Sequence, residues 1–309
     1  MIHVSEVSKA YGKHIALKDV SFCIDEFQAV GLLGENGAGK TTLLDIISGC
    51  LLADSGSVTI DGFDIVSNAE SAKHSIGYLP EKPPLYTEMT VFEYLKFCIE
   101  LKRVVKKDRN RHLDDLLETA NLTQVKNRKI ANLSHGFRQR VGFAQALCGN
   151  PKIILLDEPT NGLDPSQVIE FRRAIKTLSK KHILILSSHI LSLIQSVCDR
   201  VLILHSGVLT VDRLIKESNS SSFFVSLYAP QAQILSKIRH MPSVKRLKTA
   251  DKGNPNITNL IIETDDKDSL PKELFSFSTG NGIAILRLQE CENTLEELYQ
   301  SSIDEGTLS

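Results

Sequence analysis

Residues 34–41 read GENGAGKT, which fits the pattern G-x-x-x-x-G-K-[ST]. Glycines at 34, 37 and 39 let such a loop fold with consecutive backbone N–H groups turned inward, a concavity that binds phosphate oxygens. Lys40 is spaced to reach β- and γ-phosphates, and the Thr41 hydroxyl to ligate Mg²⁺. The loop follows the apolar run AVGLLG and precedes KTTLLDIISG, so its last residues open a helix. That helix N-terminus adds roughly half a positive charge at the same place. The chemistry is the binding of a nucleoside triphosphate.

A second apolar run, IILLDEP, ends in Asp157 and Glu158. Beside a phosphate loop, Asp157 is expected to hold Mg²⁺ through water, and Glu158 to orient and deprotonate an attacking water. Acidic residues also cap strand ends for purely structural reasons, and only the neighbouring loop favours the chemical reading. His189, just past HILILSS, either contacts a γ-phosphate or is a structural histidine. Tyr11 either fills a core or stacks on a base, which adds about 1 kcal/mol. LSHGFRQR (133–140) has no nucleophile–base pair and no paired carboxylates. It does offer the Ser134 hydroxyl, a bare backbone at Gly136 and the cations Arg138 and Arg140, which is what a helix end needs to hold an anion.

The elements that must position these groups are legible in the spacing. IHVSEVSKAYG, DVSFCID and GSVTIDG alternate between turn residues and predict antiparallel strands. AVGLLG reads as a strand buried on both faces. From about 88 to 150 the pattern turns helical (MTVFEYLKFCIELK, HLDDLLETANL), which predicts a helical insertion. KIILLDEP and HILILSS, separated by the helical VIEFRRAIKTLSKK, predict a parallel sheet covered by helices. RVLILHSGVLTVD predicts a hairpin turning at Ser206–Gly207. SNSSS (218–222) reads as a linker. Beyond it, FFVSLYA, QAQILSKIRH, VKRLKTA, NLIIETD, KELFSFS, IAILRL and LEELYQ predict strand–helix–strand–strand–helix–strand–helix, an order that suits a ferredoxin-like domain over 223–309.

With 309 residues the chain can form one large domain or two unequal ones. Lys+Arg 36 against Asp+Glu 37 leaves a net charge of −1, so no global basic field draws it to nucleic acid or to an anionic membrane. The six cysteines, at 23, 50, 98, 148, 198 and 291, contain no C-x-x-C pair. That spacing argues against a zinc site and a disulfide framework and for reduced thiols in the cytosol. MIHVSEVSKAYG has no signal-peptide core, and no stretch approaches the ~18–20 apolar residues of a membrane helix. If the protein works at a membrane, another chain must span it.

Taken in chain order, Tyr11, GENGAGKTT, YLPE (78–81), LSHGFRQR, LLDEP (155–159), NGLD (161–164) and SSH (187–189) give residues 1–217 a clear family likeness. The chain resembles the ATP-binding cassette (ABC) ATPase subunits of transporters, most closely the gliding-motility and ABC-2 exporter type. The resemblance implies an α/β fold: a P-loop NTPase (RecA-like) core with an antiparallel β subdomain and a helical insertion, plus the small C-terminal α+β domain. It implies that ATP is held by Tyr11, Gly34, Glu35, Asn36, Gly37, Ala38, Gly39, Lys40, Thr41 and Thr42. Mg²⁺ would be held by Thr41, Glu81 and Asp157, with Glu158 and His189 catalytic. In this family two cassettes pair head to tail, so Ser134 and Gly136 would contact the γ-phosphate of ATP in the partner and Asp164 would lie at the seam. The partners implied are a second cassette, identical or paralogous, and an integral membrane permease, with the chain peripheral on the cytoplasmic face of the membrane.

Three positions depart from the family pattern. LSGGQ is LSHGF here, with His135 and Phe137 replacing Gly and Gln, and the loop that usually ends in Gln ends in Glu81. Glu81 can still ligate Mg²⁺ or its water, but it donates no hydrogen bond and adds negative charge near the γ-phosphate. The segment KPPLYTEMTVFEYL after Glu81 is either a permease-docking groove or a solvated loop followed by a core helix. The alternative function is a soluble ABC ATPase acting on ribosomes or nucleic acid, which usually carries two cassettes or a long coiled-coil insertion; neither is present.

Overall fold

A computed structural model describes residues 1–215, 221–250 and 256–291. They fall into two compact units, the first Met1–Leu214 and the second beginning at Ile215.

The first unit runs β1 (Ile2–Tyr11), β2 (His14–Ile24), β3 (Ala29–Leu33), α1 (Lys40–Ile47), β4 (Ser55–Ile60), β5 (Phe63–Asp64), α2 (Ala69–His74) and β6 (Ile76–Leu79). It continues with α3 (Val91–Leu101), α4 (Arg109–Thr119), α5 (His135–Ala146), β7 (Ile153–Leu156), α6 (Pro165–Leu178), β8 (Ile183–Ser188), α7 (Leu191–Val197), β9 (Arg200–His205) and β10 (Val208–Leu214).

Two sheets organise these elements. One is antiparallel, in the order β2-β1-β4-β5. The other has the order β10-β9-β3-β8-β7-β6 and is parallel from β9 to β6. Every residue of β3, β7 and β8 is buried, the reason their sequences are apolar runs rather than alternations. Leu43, Leu44, Ile46 and Ile47 of α1 share one core with Val7, Leu17 and Val20 of the antiparallel sheet and Leu32, Leu155, Ile185 and Leu202 of the parallel one. Helix α1 is thus packed by both sheets, which fixes the loop before it. In such parallel sheets ligands bind beyond the carboxyl ends of the strands. Here those ends lead into residues 34–39 from β3, Glu81 from β6, Asp157 and Glu158 from β7, and His189 from β8.

The β9–β10 hairpin turns at Ser206 and Gly207, both with positive φ (48° and 80°), a two-residue turn whose twist matches its strands. The helical segment holds α3, α4 and α5. Thr90 opens it with a capping box, its hydroxyl accepting from the Glu93 N–H at 3.2 Å while Glu93 Oε2 accepts from the Thr90 N–H at 2.8 Å. Among the described residues no helix is long and apolar enough to cross a membrane.

The second unit runs β11 (Ser221–Tyr228), α8 (Gln231–Arg239), β12 (Arg246–Ala250), β13 (Thr258–Thr264), α9 (Ser269–Asn281) and β14 (Ala284–Cys291). Its antiparallel sheet has the order β12-β13-β11-β14, the split βαβ arrangement of ferredoxin-like domains. Phe223, Val225, Leu227, Leu260 and Ile262 of the sheet pack on Ile234 and Ile238 of α8 and Leu270 and Leu274 of α9. Ser221 and Ser222, assigned to a linker by composition, instead open central strand β11, where Ser222 pairs with Glu263 on one side and Cys291 on the other. Pairing on both edges overrides a weak polar propensity. The rest of that linker (218–220) and the helix expected at LEELYQ lie outside the described residues.

Candidate functional site

The phosphate loop leaves β3 at Gly34 and becomes α1 at Lys40, with Gly39 as N-cap at φ 103°. A Cβ at Gly39 would lie 2.4 Å from the Ala16 carbonyl oxygen, so both conformation and space require glycine there. Within the loop the Ala38 N–H donates to the Glu35 carbonyl at 3.1 Å, and the Gly207 N–H donates to the Ala38 carbonyl at 3.1 Å. The Lys40 ammonium is almost fully buried. It donates to the carbonyls of Gly34 (2.8 Å) and Glu35 (3.1 Å) and stands 3.6 Å from Glu158 Oε1. The loop is shaped around its own cation.

Asp157 and Glu158, at the end of β7, face different partners although adjacent. Asp157 is fully buried; its Oδ2 accepts from the Thr41 hydroxyl at 2.8 Å and its Oδ1 from the Ser187 hydroxyl at 2.6 Å. The same Ser187 oxygen accepts from the Glu158 N–H at 2.8 Å. Glu158 has φ 43°, an uncommon conformation for a residue with a side chain, and it turns the carboxylate away from Asp157. That carboxylate lies 3.1 and 3.2 Å from Nδ1 of His189. Behind the loop, Asp45 of α1 accepts from the Tyr78 hydroxyl at 2.9 Å. Burial raises the Asp45 carboxyl above its ordinary range, the Tyr78 bond partly offsets this, and the charge of Asp157 raises it further.

Ser187 was not singled out among the candidate residues, although SSH was. Ser187→Ala is expected to cost about 1–3 kcal/mol by leaving buried Asp157 Oδ1 and the Glu158 N–H short of a partner. The shift of the urea unfolding midpoint measures it.

Tyr11, Asn36, Gly37, Gly39, Lys40, Thr41, Thr42, Glu81, Glu158 and His189 line one open cleft of about 510 Å³. Gly34, Glu35 and Ala38 shape the loop from behind, and Asp157 reaches the cleft through Thr41. His14, Ala16 and Asn161 also line it and were missed. His14 could have been found, because Tyr11 and His14 flank the two-residue turn Gly12–Lys13 and pair across it. Tyr11 is 51% exposed at the mouth rather than a core tyrosine, with the Lys9 ammonium 6.0 Å from its ring centre.

Ser134, Gly136 and Asp164 are not among the residues lining this cleft. They form a second group where α5 and α6 begin. Ser134 N-caps α5, accepting from the Phe137 N–H at 3.4 Å. Asp164 N-caps α6, accepting from the Gln167 N–H at 2.9 Å, and hydrogen bonding to Ser166 and Gln167 holds its carboxyl below the ordinary range. A Cβ at Gly136 would lie 2.6 Å from Gln167 Oε1, so the two helix starts are in close contact. Arg140 is turned away, paired with Glu170 at 2.8 Å.

A buried lysine inside a glycine loop, with a hydroxyl–carboxylate pair and a second carboxylate at the end of the neighbouring strand set, defines a P-loop ATPase of mixed α/β fold. The family model described as ABC transporter matches residues 17–161. The uncharacterized ABC transporter ATP-binding protein YxlF of Bacillus subtilis is 30% identical over 97% of this chain and 98% of its own. The linearmycin resistance ATP-binding protein LnrL of the same organism is 27% identical over 97% of each chain. Among solved structures, a dimeric post-hydrolysis state of the ATP-binding cassette MJ0796 bound to ADP and Pi matches with a TM-score of 0.65 and 26% identity, over 70% of this chain and 99% of that one. The chain belongs to the ABC transporter family as an ATP-binding, ATP-hydrolysing subunit.

Proposed function

We propose that this subunit is the motor of an ABC exporter, closing head to tail on ATP with a second cassette and driving a separate membrane permease. The observation that carries this reading is the division of the anion-binding groups: Lys40, Glu158 and His189 meet over the phosphate loop, while the capped start of α5 lies outside that cleft. A second cassette would bring its own Ser134 and Gly136 to the open side. Asp164, beside them, would lie at the seam.

Within the cleft, Tyr11 stacks on the base, the loop N–H groups of residues 34–42 hold the phosphates, and Lys40 neutralises them. Glu158 takes the proton of the attacking water, with His189 steadying its carboxylate. The residues present fit Mg²⁺: the Thr41 hydroxyl and the Asp157 carboxylate are already joined at 2.8 Å, and the Glu81 carboxylate lines the same cleft, an oxygen donor set suited to a hard cation. Bound there, Mg²⁺ supplies neutralisation of charge on the β- and γ-oxygens. Hydrolysis followed by charge repulsion and release of phosphate then parts the pair, because ADP alone does not reach the second cassette.

The exporter assignment draws on the resemblance and on LnrL, a full-length relative named for resistance to linearmycin. For the permease contact, the segment after Glu81 offers exposed Tyr86 (56%) and Phe92 (39%), while Val91, Tyr94 and Leu95 of α3 belong to the core. The cassette therefore sits at the cytoplasmic face of the membrane. Residues 1–217 form the cassette, and the domain after the linker stabilises the pair or regulates its cycle.

A complementation experiment tests the shared site. Lys40→Ala and Ser134→Arg should each abolish turnover alone. In a mixed pair, the intact loop of one variant faces the intact α5 start of the other, so mixing them should restore measurable phosphate release. If the mixture stays as inactive as its components, the sites are not shared between subunits.

A further inference from the structure

Far along β2 from its cleft end lies a cluster with no part in the nucleotide site. The β1–β2 register sets His3 directly opposite Cys23, and Asp25 follows two residues on. Cys23 Sγ lies 3.5 Å from His3 Nε2 and 3.0 Å from Asp25 Oδ2, to which the thiol donates. His3 Nε2 lies 3.7 Å from Asp25 Oδ1. One donor atom from each residue therefore falls within 4.8 Å of the other two. A tetrahedral ion with bonds of about 2.0–2.3 Å separates adjacent donors by roughly 3.4–3.6 Å. The Sγ–Nε2 separation of 3.5 Å and the Nε2–Oδ1 separation of 3.7 Å are already close to that spacing, while the 3.0 Å approach of Sγ to Oδ2 is the thiol hydrogen bond that a metal would replace.

We propose that His3 Nε2, Cys23 Sγ and a carboxylate oxygen of Asp25 form a three-ligand site for a borderline-soft divalent ion of the Zn²⁺ class. A nitrogen, sulfur and oxygen set selects such an ion over Mg²⁺ or Ca²⁺, which prefer oxygen alone. The His3 and Asp25 side chains are 47% and 57% exposed, so the fourth position faces water. Cys23 itself is held in place, its carbonyl accepting from Arg200 Nη1 at 2.8 Å while the rest of that guanidinium binds Asp212 at 2.6 Å. On binding, the thiol gives its proton to water, a sulfur–metal bond replaces the thiol–Asp25 hydrogen bond, and waters leave the ion. No oxidation state changes. The C-x-x-C rule that argues against zinc does not reach this cluster, because its histidine and cysteine are twenty residues apart and are joined only by strand pairing.

The test uses the full chain, stripped of metal and with its thiols reduced, titrated with Co²⁺ and then with Zn²⁺ against a chromophoric chelator. One equivalent of Co²⁺ should give a sulfur-to-cobalt charge-transfer band that Zn²⁺ removes. Cys23→Ser should abolish the band, and His3→Ala and Asp25→Ala should each weaken Zn²⁺ binding by at least about 10–100-fold. Cys50→Ser, which removes an exposed thiol elsewhere, should leave the band unchanged. Thermal unfolding of the metal-free variants should match the parent. A missing band at stoichiometric Co²⁺, or a band that survives Cys23→Ser or is lost in Cys50→Ser, would overturn the proposal.

Discussion

Glu158→Gln is expected to lower ATP turnover by about 10²–10⁴-fold, the usual contribution of a positioned general base. Gln keeps the shape that the φ of 43° and the Ser187 bond impose on this position, but it cannot accept the proton of the attacking water. It also removes a negative charge that stands 3.6 Å from the Lys40 ammonium, in the cleft that receives the triphosphate. ATP binding should therefore be retained or tightened while hydrolysis stops, and a nucleotide-bound pair of subunits should accumulate. Steady-state phosphate release measures the first effect, and light scattering with saturating ATP and Mg²⁺ the second. A variant that turns over near the parental rate would remove Glu158 from the chemistry. One that is inactive but stays monomeric would remove the shared-site closure instead.

Lys40→Ala should weaken ATP binding as well as stop the chemical step. The ammonium joins two loop carbonyls and balances a carboxylate that is itself only 10% exposed on its side chain. Removing it strips the triphosphate of its nearest buried cation and leaves Glu158 with His189 as its remaining side-chain partner. Truncating one member of such a pair costs about 2–5 kcal/mol. Tenfold in affinity corresponds to about 1.4 kcal/mol, so ATP binding should weaken by roughly 30-fold to several thousand-fold. Calorimetric titration with ATP, in which Glu158→Gln should still bind, separates the two roles. Affinity close to the parent in Lys40→Ala would mean that the loop N–H groups hold the phosphates without it.

Much of the nucleotide site was legible because its groups are local in sequence. Eight consecutive residues make the phosphate loop, and the two carboxylates are neighbours at the end of an apolar run. Strand pattern and motif reinforce each other there: the apolar runs AVGLLG, IILLDEP and HILILSS carry β3, β7 and β8, all fully buried, and the candidate site residues lie at their carboxyl ends. Tyr11 and His189 could not be assigned from their own surroundings, since a lone aromatic or histidine has a structural use in most places. The structure sets both in the same cleft as Lys40, which no pattern along the chain could show. Ser187 stayed invisible because its role is to join the Asp157 carboxylate to the Glu158 backbone N–H from a strand about thirty residues away.

The sequence by itself determined the family and the phosphate loop and predicted most elements in chain order, since each follows from short-range periodicity or from contiguous motifs; the order of strands within each sheet came from the pairing. The tertiary structure alone decided which side chains meet. It placed Glu158 against His189, tied Asp157 to Thr41, left Ser134 outside the cleft and set His3 across from Cys23. It also ran β11 through residues that composition assigned to a linker. The physical reason is the same throughout: pairing and packing join residues of large sequence separation, and no pattern along the chain records the register at which they meet.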